Sequence, residues 1–119
     1  MVKILIVDDS PLVRAILKDF LMEAGYEVFE ARTCIEAGNQ FNQLHPQVVI
    51  KDLYMPEWDA IDSIRFFKEL DSQVKIIICS TSSSRNAIVE GLKAGAHDFM
   101  LKPLDKTNVL NTIKRVAFS

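Results

Sequence analysis

A small doubly wound α/β fold, with a five-stranded parallel sheet and five helices covering both faces, is predicted for this 119-residue chain by three observations. Short apolar, β-branched runs recur five times. Between and after them come segments with helical spacing of apolar residues, an alternation that requires parallel strands covered on both faces. Carboxylates, hydroxyls and a lysine stand directly after these runs, at the edge where doubly wound folds bind ligands.

Residues 2–7 read as a buried strand, almost continuously apolar. Ser10 and Pro11 then open a helix, the serine as N-cap and the proline at the first helical position. Val13, Ile16, Leu17, Phe20 and Leu21 share one face of that helix, and Gly25 supplies the stop beyond its end. Residues 26–30 form a shorter strand. Thr33-Cys34-Ile35-Glu36 has the T-x-x-E form of a capping box, so a second helix runs to about Leu44 and is closed by His45-Pro46. Residues 48–51 make the third strand, which delivers Asp52. Asp59 caps a third helix carrying Ile61, Ile64, Phe67 and Leu70. The fourth strand is 74–79, followed by the polar run 80–84 and a short helix marked by Ile88, Gly91 and Leu92 that Gly95 stops. Residues 97–101 are mixed in composition, which suits an edge strand. Asp105 or Thr107 caps a last helix with Val109, Leu110, Ile113, Val116 and Ala117 on one face.

The length suits one domain spanning 1–119, and 49% hydrophobic with 25% charged residues is an ordinary globular composition. A net charge of −2 without Lys/Arg runs argues against direct nucleic-acid binding. Cys34 and Cys79 match no metal-ligand spacing and read as free thiols of a reducing cytosol. The apolar N-terminus breaks at Asp8-Asp9, too early for a signal peptide or a membrane span. A cytoplasmic protein with no membrane association is expected. The chain stops soon after its last helix, so no attached effector domain is expected.

The candidate chemistry lies past the strand ends: Asp8-Asp9, Asp52, Ser80-Thr81 and Lys102-Pro103. Taken singly, each has an ordinary reading, as a solvated helix start, a strand terminator or a loop lysine. Together they are harder to dismiss. Two unit charges 4 Å apart repel by about 4 kcal/mol at an effective dielectric near 20, so three clustered carboxylates call for cations. Lys102 supplies one. A hard divalent ion with oxygen ligands supplies the rest, and Mg²⁺ suits this best, with Mn²⁺ as the alternative. A carboxylate is also a competent nucleophile toward phosphorus, and phosphoryl transfer needs the charge neutralisation that such a cluster offers.

Val7-Asp8-Asp9-Ser10, Asp52 with Met55-Pro56, Ser80-Thr81, Ala94-Gly95-Ala96 and Lys102-Pro103 occur in order over the whole chain. In these motifs the sequence resembles a response-regulator receiver domain, of the stand-alone, chemotaxis type in Ile78-Cys79-Ser80. The resemblance implies a flavodoxin-like three-layer sandwich with strand order 2-1-3-4-5. It implies a signalling protein rather than an enzyme, with Mg²⁺-dependent self-phosphorylation and self-dephosphorylation. By it, Asp52 accepts a phosphoryl group from a histidine kinase or phosphotransfer domain. Asp8, Asp9, Asp52 and the main-chain carbonyl of Tyr54 hold the metal. Lys102 pairs with phosphoryl oxygens, Ser80 swings toward them as the switch hydroxyl with Thr81 beside it in the switch, and the Phe99 rotamer follows Ser80. The Lys102-Pro103 bond is cis, as an X–Pro bond allows. A downstream target protein reads the face of the fourth helix, fifth strand and fifth helix. A monomer is expected, with a phosphorylation-dependent dimer as the alternative.

Five positions depart from the family pattern. Ala60 stands where a glycine is usual, Thr33-Cys34 replaces Asn-Gly, Gly38 replaces an aliphatic residue, and Lys51 precedes the acceptor. Alternation along the strand points Lys51 away from Asp52, which suggests a structural role. A dinucleotide or P-loop enzyme is excluded by the lack of a glycine-rich turn after the first strand. The remaining alternatives are a phosphorelay intermediate and a scaffold that signals without phosphorylation.

Overall fold

The computed structural model describes residues 1–118, apart from the side chain of Ser82. The elements follow the alternation expected: β1 Lys3–Val7, α1 Pro11–Glu23, β2 Glu27–Ala31, α2 Cys34–Leu44, β3 Val48–Asp52, α3 Ala60–Leu70, β4 Lys75–Thr81, α4 Arg85–Ala94, β5 Asp98–Lys102 and α5 Lys106–Ala117. A single 3₁₀ turn, Ser82–Ser84, joins β4 to α4. All strand pairs are parallel and the order is β2-β1-β3-β4-β5, so the chain reverses its direction of growth at β1. The switch point therefore falls between β1 and β3, beyond Val7 and Asp52.

Strand parity sorts the core into two layers. Leu5, Val7, Val49, Ile76 and Ile78 point to one face and pack with Phe41 of α2, Phe67 of α3 and Ile88 of α4. Ile4, Ile6, Val48, Ile50, Ile77, Cys79 and Met100 point to the other, against Leu17 and Leu21 of α1 and Val109, Ile113 and Val116 of α5. Three helices thus cover one face and two the other.

Local chemistry sets the helix ends. The Ser10 hydroxyl accepts from the Val13 N–H at 3.3 Å, and Asp59 Oδ1 accepts from both Ile61 and Asp62 N–H at 3.0 Å. Between the two candidates for the last cap, the structure selects Asp105, which accepts from Asn108 N–H at 2.9 Å; Thr107 lies inside α5. The capping box is half of the expected one. Thr33 Oγ1 accepts from Glu36 N–H at 3.1 Å, but the Glu36 carboxylate turns to Arg32, taking its N–H and its guanidinium. Gly25, at φ +93°, ends α1 in the left-handed region that favours glycine.

The strands end later than expected. β3 extends through Asp52 and β4 through Thr81, because Asp52 pairs with Cys79 and Thr81 with Lys102 across the sheet. Polarity suggested breaks at these positions; the ladder hydrogen bonds of the neighbouring strands carry pairing onward. Gly38 lets α3 close on α2, since a Cβ there would meet Phe66 Cζ at 3.3 Å.

Candidate functional site

Four of the expected residues converge. Asp8, Asp52 and Lys102 extend the same alternation as Ile6, Ile50 and Met100, so their side chains rise on one side of the sheet edge. One carboxylate oxygen from each of Asp8, Asp9 and Asp52 lies within 4.8 Å of the others. Lys102 Nζ sits 3.4 Å from Asp8 Oδ2 and 3.3 Å from Asp52 Oδ1. Asp8 is buried and Asp9 exposed, so the cluster opens outward on the Asp9 side.

The main chain fixes this geometry. Asp8 N–H donates to Ala31 O at 3.1 Å, continuing the β1–β2 ladder by one step, while Asp8 Oδ1 accepts from Ser10 N–H at 2.9 Å. On the β3 side, Leu53 N–H donates to Cys79 O at 3.1 Å. The Lys102-Pro103 bond is cis, as expected.

The charges are unbalanced without a further cation. Burial raises the Asp52 carboxyl above its ordinary value, the Asp8 carboxylate adds to this, and Lys102 and then Lys51 oppose it. Burial works against the Lys102 ammonium, but Asp8 and Asp52 outweigh it and raise its pKa. Burial pushes the neighbouring Cys79 thiol up to about 12, which makes it an inert core residue rather than a nucleophile. A set of three carboxylates, all hard oxygen donors on one open cluster, fits a divalent ion of the Mg²⁺ class.

The other expected residues are placed around this cluster rather than in it. Ser80 is buried on β4, on the opposite parity, paired with Leu101. Thr81 turns into the following loop, its hydroxyl 2.8 Å from Ser83 Oγ and 3.5 Å from Ser84 Oγ. Tyr54 lies in the loop from β3 to α3 with its ring exposed. Phe99 pairs with Ile78, so it shares a sheet face with Ser80 and Leu101. Its ring is half exposed and lines a cavity of about 260 Å³ with Arg85, Ile88, Val89, Leu92 and Leu101.

Two residues near the site carry contacts that the sequence did not reveal. Arg14 Nη1 donates to Asp8 O at 2.7 Å and Nε to Glu30 Oε1 at 3.2 Å, tying α1 to β1 and β2. Its partners come from other strands, so no spacing within α1 announces it. Lys51 is 1% exposed, donates to the main-chain oxygen of Asp52, and lies 5.2 Å from the centre of the Trp58 ring. Alternation gave its direction; its burial depended on where the β3–α3 loop folds back.

Comparison with known proteins agrees with this geometry. Residues 4–114 match the family described as the response regulator receiver domain. The chemotaxis protein CheY of Thermotoga maritima is 39% identical over 116 residues, covering 97% of both chains. The CheY of Bacillus subtilis is 36% identical over 114 residues, covering 95% of each. Among solved structures, chemotaxis protein CheY4 of Vibrio cholerae superposes with a TM-score of 0.89 at 31% identity, covering 98% of both chains. The receiver domain of NtrX from Brucella abortus, at 22% identity and a TM-score of 0.94, shares the fold. The parallel order β2-β1-β3-β4-β5, the carboxylates beyond β1 and β3 and the whole-length similarity have one common meaning: this chain belongs to the response regulator receiver domain family, whose members are phosphorylation-activated signalling switches.

Proposed function

We propose that Asp52 takes a phosphoryl group from a histidine kinase or phosphotransfer protein, and that the face of α4, β5 and α5 reports it to a target protein. The observation that carries this reading is the convergence of Asp8, Asp9, Asp52 and Lys102 from the ends of three strands. An Asp52 carboxylate oxygen attacks phosphorus. The P–N bond of the donor phosphohistidine breaks, and the imidazole nitrogen keeps the electron pair, to be protonated. Later attack by water on phosphorus cleaves the new P–O bond, releases inorganic phosphate and restores the carboxylate.

Asp8, Asp9, Asp52 and the main-chain carbonyl of Tyr54 would hold Mg²⁺, or Mn²⁺ in its place. When bound, the ion offsets charge on the transferring phosphoryl oxygens. Lys102, already at hydrogen-bond range of Asp52, keeps a partner throughout, first the carboxylate and then a phosphoryl oxygen. Ser80 is buried near the end of β4, the strand that pairs with β3, so a phosphoryl oxygen on Asp52 would offer its hydroxyl a new contact. That differential contact is what shifts the switch. Because Ser80 and Phe99 share a sheet face, movement of the β4–α4 segment alters the cavity that Phe99 lines. The chemotaxis names of the whole-length relatives favour a target in the control of motility. Among the described residues no helix is long and apolar enough to cross a membrane.

The test uses Trp58, the only tryptophan, which lies six residues after Asp52. With Mg²⁺ and a small acyl-phosphate donor, the wild type should incorporate acid-stable, base-labile phosphate and change its Trp58 emission. Asp52→Asn should do neither. Equal labelling of wild type and Asp52→Asn would sink the reading.

A further inference from the structure

Lys51 is a poor choice for packing alone. It is 1% exposed, among the largest fully buried side chains, yet it carries an ammonium group. A methionine or leucine would fill the same space without a buried charge, and such replacements are often neutral or stabilising. The ammonium is used at two places. It donates to the main-chain oxygen of Asp52, the last residue of β3, and it lies 5.2 Å from the centre of the Trp58 ring.

Those contacts mark the two ends of the loop between the acceptor and α3. At one end, Leu53 N–H still donates into β4, to Cys79 O at 3.1 Å. At the other, Trp58 bridges back to Met55, with Trp58 N–H donating to Met55 O at 3.4 Å, and its ring packs on Phe66 and Phe67 at 5.5 and 5.6 Å. Tyr54 lies between the two ends, and Glu57 adopts φ 71°, a left-handed conformation that a non-glycine residue holds only when its surroundings impose it. Lys51 also sits below the carboxylates: Asp52, Asp8 and Asp9 all act on its charge, in that order. It approaches from the α2–α4 face, whereas Lys102 approaches from the α1–α5 side.

We propose that Lys51 is a positioning residue for phosphoryl acceptance, clamping the 52–58 loop from beneath by joining the Asp52 carbonyl to the Trp58 ring. This rests on the phosphoryl-acceptor reading above. Lys51 does not touch the reacting atoms. It sets where the Asp52 carboxylate and the Tyr54 main chain stand, and small displacements of such groups slow a reaction markedly.

The decisive variant is Lys51→Met, which keeps the stem and removes the donor and the charge. Its unfolding midpoint in urea should equal or exceed the wild type's. Its emission from Trp58, measured without metal or phosphodonor, should shift because the cation has left the ring. Phosphate incorporation at Asp52 from a small acyl phosphate should slow about tenfold per folded molecule. Labelling within twofold of wild type would overturn the proposal, as would a slowing that only tracks the unfolded fraction. Should Lys51→Met not fold, Trp58→Leu tests the other end of the clamp; it keeps an apolar group against Phe66 and Phe67 and should slow labelling several-fold, and unchanged labelling overturns the proposal. If wild type itself takes no label, the acceptor reading fails instead. The metal-free Trp58 spectrum still reports the clamp in that case, and a spectrum unchanged in Lys51→Met overturns it.

Discussion

Lys51 and Lys102 both answer to Asp8 and Asp52, yet the fold treats them in opposite ways. Lys102 comes from the end of β5, stays partly open, and its pKa is raised because Asp8 and Asp52 outweigh burial. Lys51 comes from β3 on the other face of the sheet, and burial lowers its pKa to about 8 despite the same carboxylates. Their neighbours in charge are nearly identical. What differs is which side of a pleated strand each occupies, and so whether water or the α2–α4 core surrounds the ammonium. Proximity in charge does not define a role; access does.

The sharpest way to break the comparison is Lys102→Met. Removing the cation that pairs with both Asp8 and Asp52 should slow phosphate incorporation at Asp52 roughly a hundredfold, as loss of one preorganised donor to a developing anion does. It should also lower metal-free stability by about 1–2 kcal/mol, the cost of leaving carboxylates without their partner, discounted for partial exposure. A stability gain in urea titration would mean that the pair is not formed in solution.

Next in size is the response to metal. Titrating Mg²⁺ into the wild type to a hundred times its dissociation constant should add about 2.7 kcal/mol, or roughly 10 °C in the unfolding midpoint. The gain should shrink in Asp9→Asn. A midpoint that does not depend on Mg²⁺ would remove the metal from the site.

A smaller effect distinguishes the second lysine. The Lys51 pKa in the folded state lies below its unfolded value of 10.5. At pH 7 both states are protonated, and the buried charge destabilises the fold. Between about pH 8 and 10.5 the unfolded chain binds more protons, so stability rises with pH in that window. Lys51→Met should therefore match or exceed wild type by up to about 2 kcal/mol at pH 7, with the difference closing toward pH 10. A difference that grows with pH would contradict the burial of the charge. The opposite signs expected for the two lysine-to-methionine changes are the comparison in measurable form.

The smallest effect lies away from both lysines. His97 Nδ1 accepts from Ile76 N–H at 3.3 Å, and burial with Lys68 and Lys75 nearby lowers its pKa below 6.5. A base held neutral in the fold loses stability as pH falls below its unfolded value, so acidification from pH 7 to 5.5 should cost a fraction of a kcal/mol. His97→Asn, which retains an acceptor, should reduce that loss; urea midpoints at the two pH values check it.

Much of this molecule was legible in the residues. The five strands, their alternation with five helices and the caps at Ser10, Thr33, Asp59 and Asp105 follow from periodicity and from side chains that satisfy local N–H groups. Such interactions span a few residues, so their signals stay adjacent in the chain. The acidic motif and Lys102 were also readable as charges at strand ends, because a parallel sheet brings all strand C-termini to one edge.

Other features needed the folded chain. Arg14 finds its partners just past β1 and on β2, Glu36 turns to Arg32 rather than completing its capping box, and β3 and β4 run on through Asp52 and Thr81 because neighbouring strands supply hydrogen bonds there. The fate of Lys51 is the clearest case. By itself the sequence determined that its side chain leaves the sheet on the face opposite Asp52. Only the tertiary structure decided that the 53–58 loop would bring Trp58 over the ammonium and close it from water. Direction along a strand is set by backbone geometry two residues at a time; burial is set by whatever the rest of the chain lays on top.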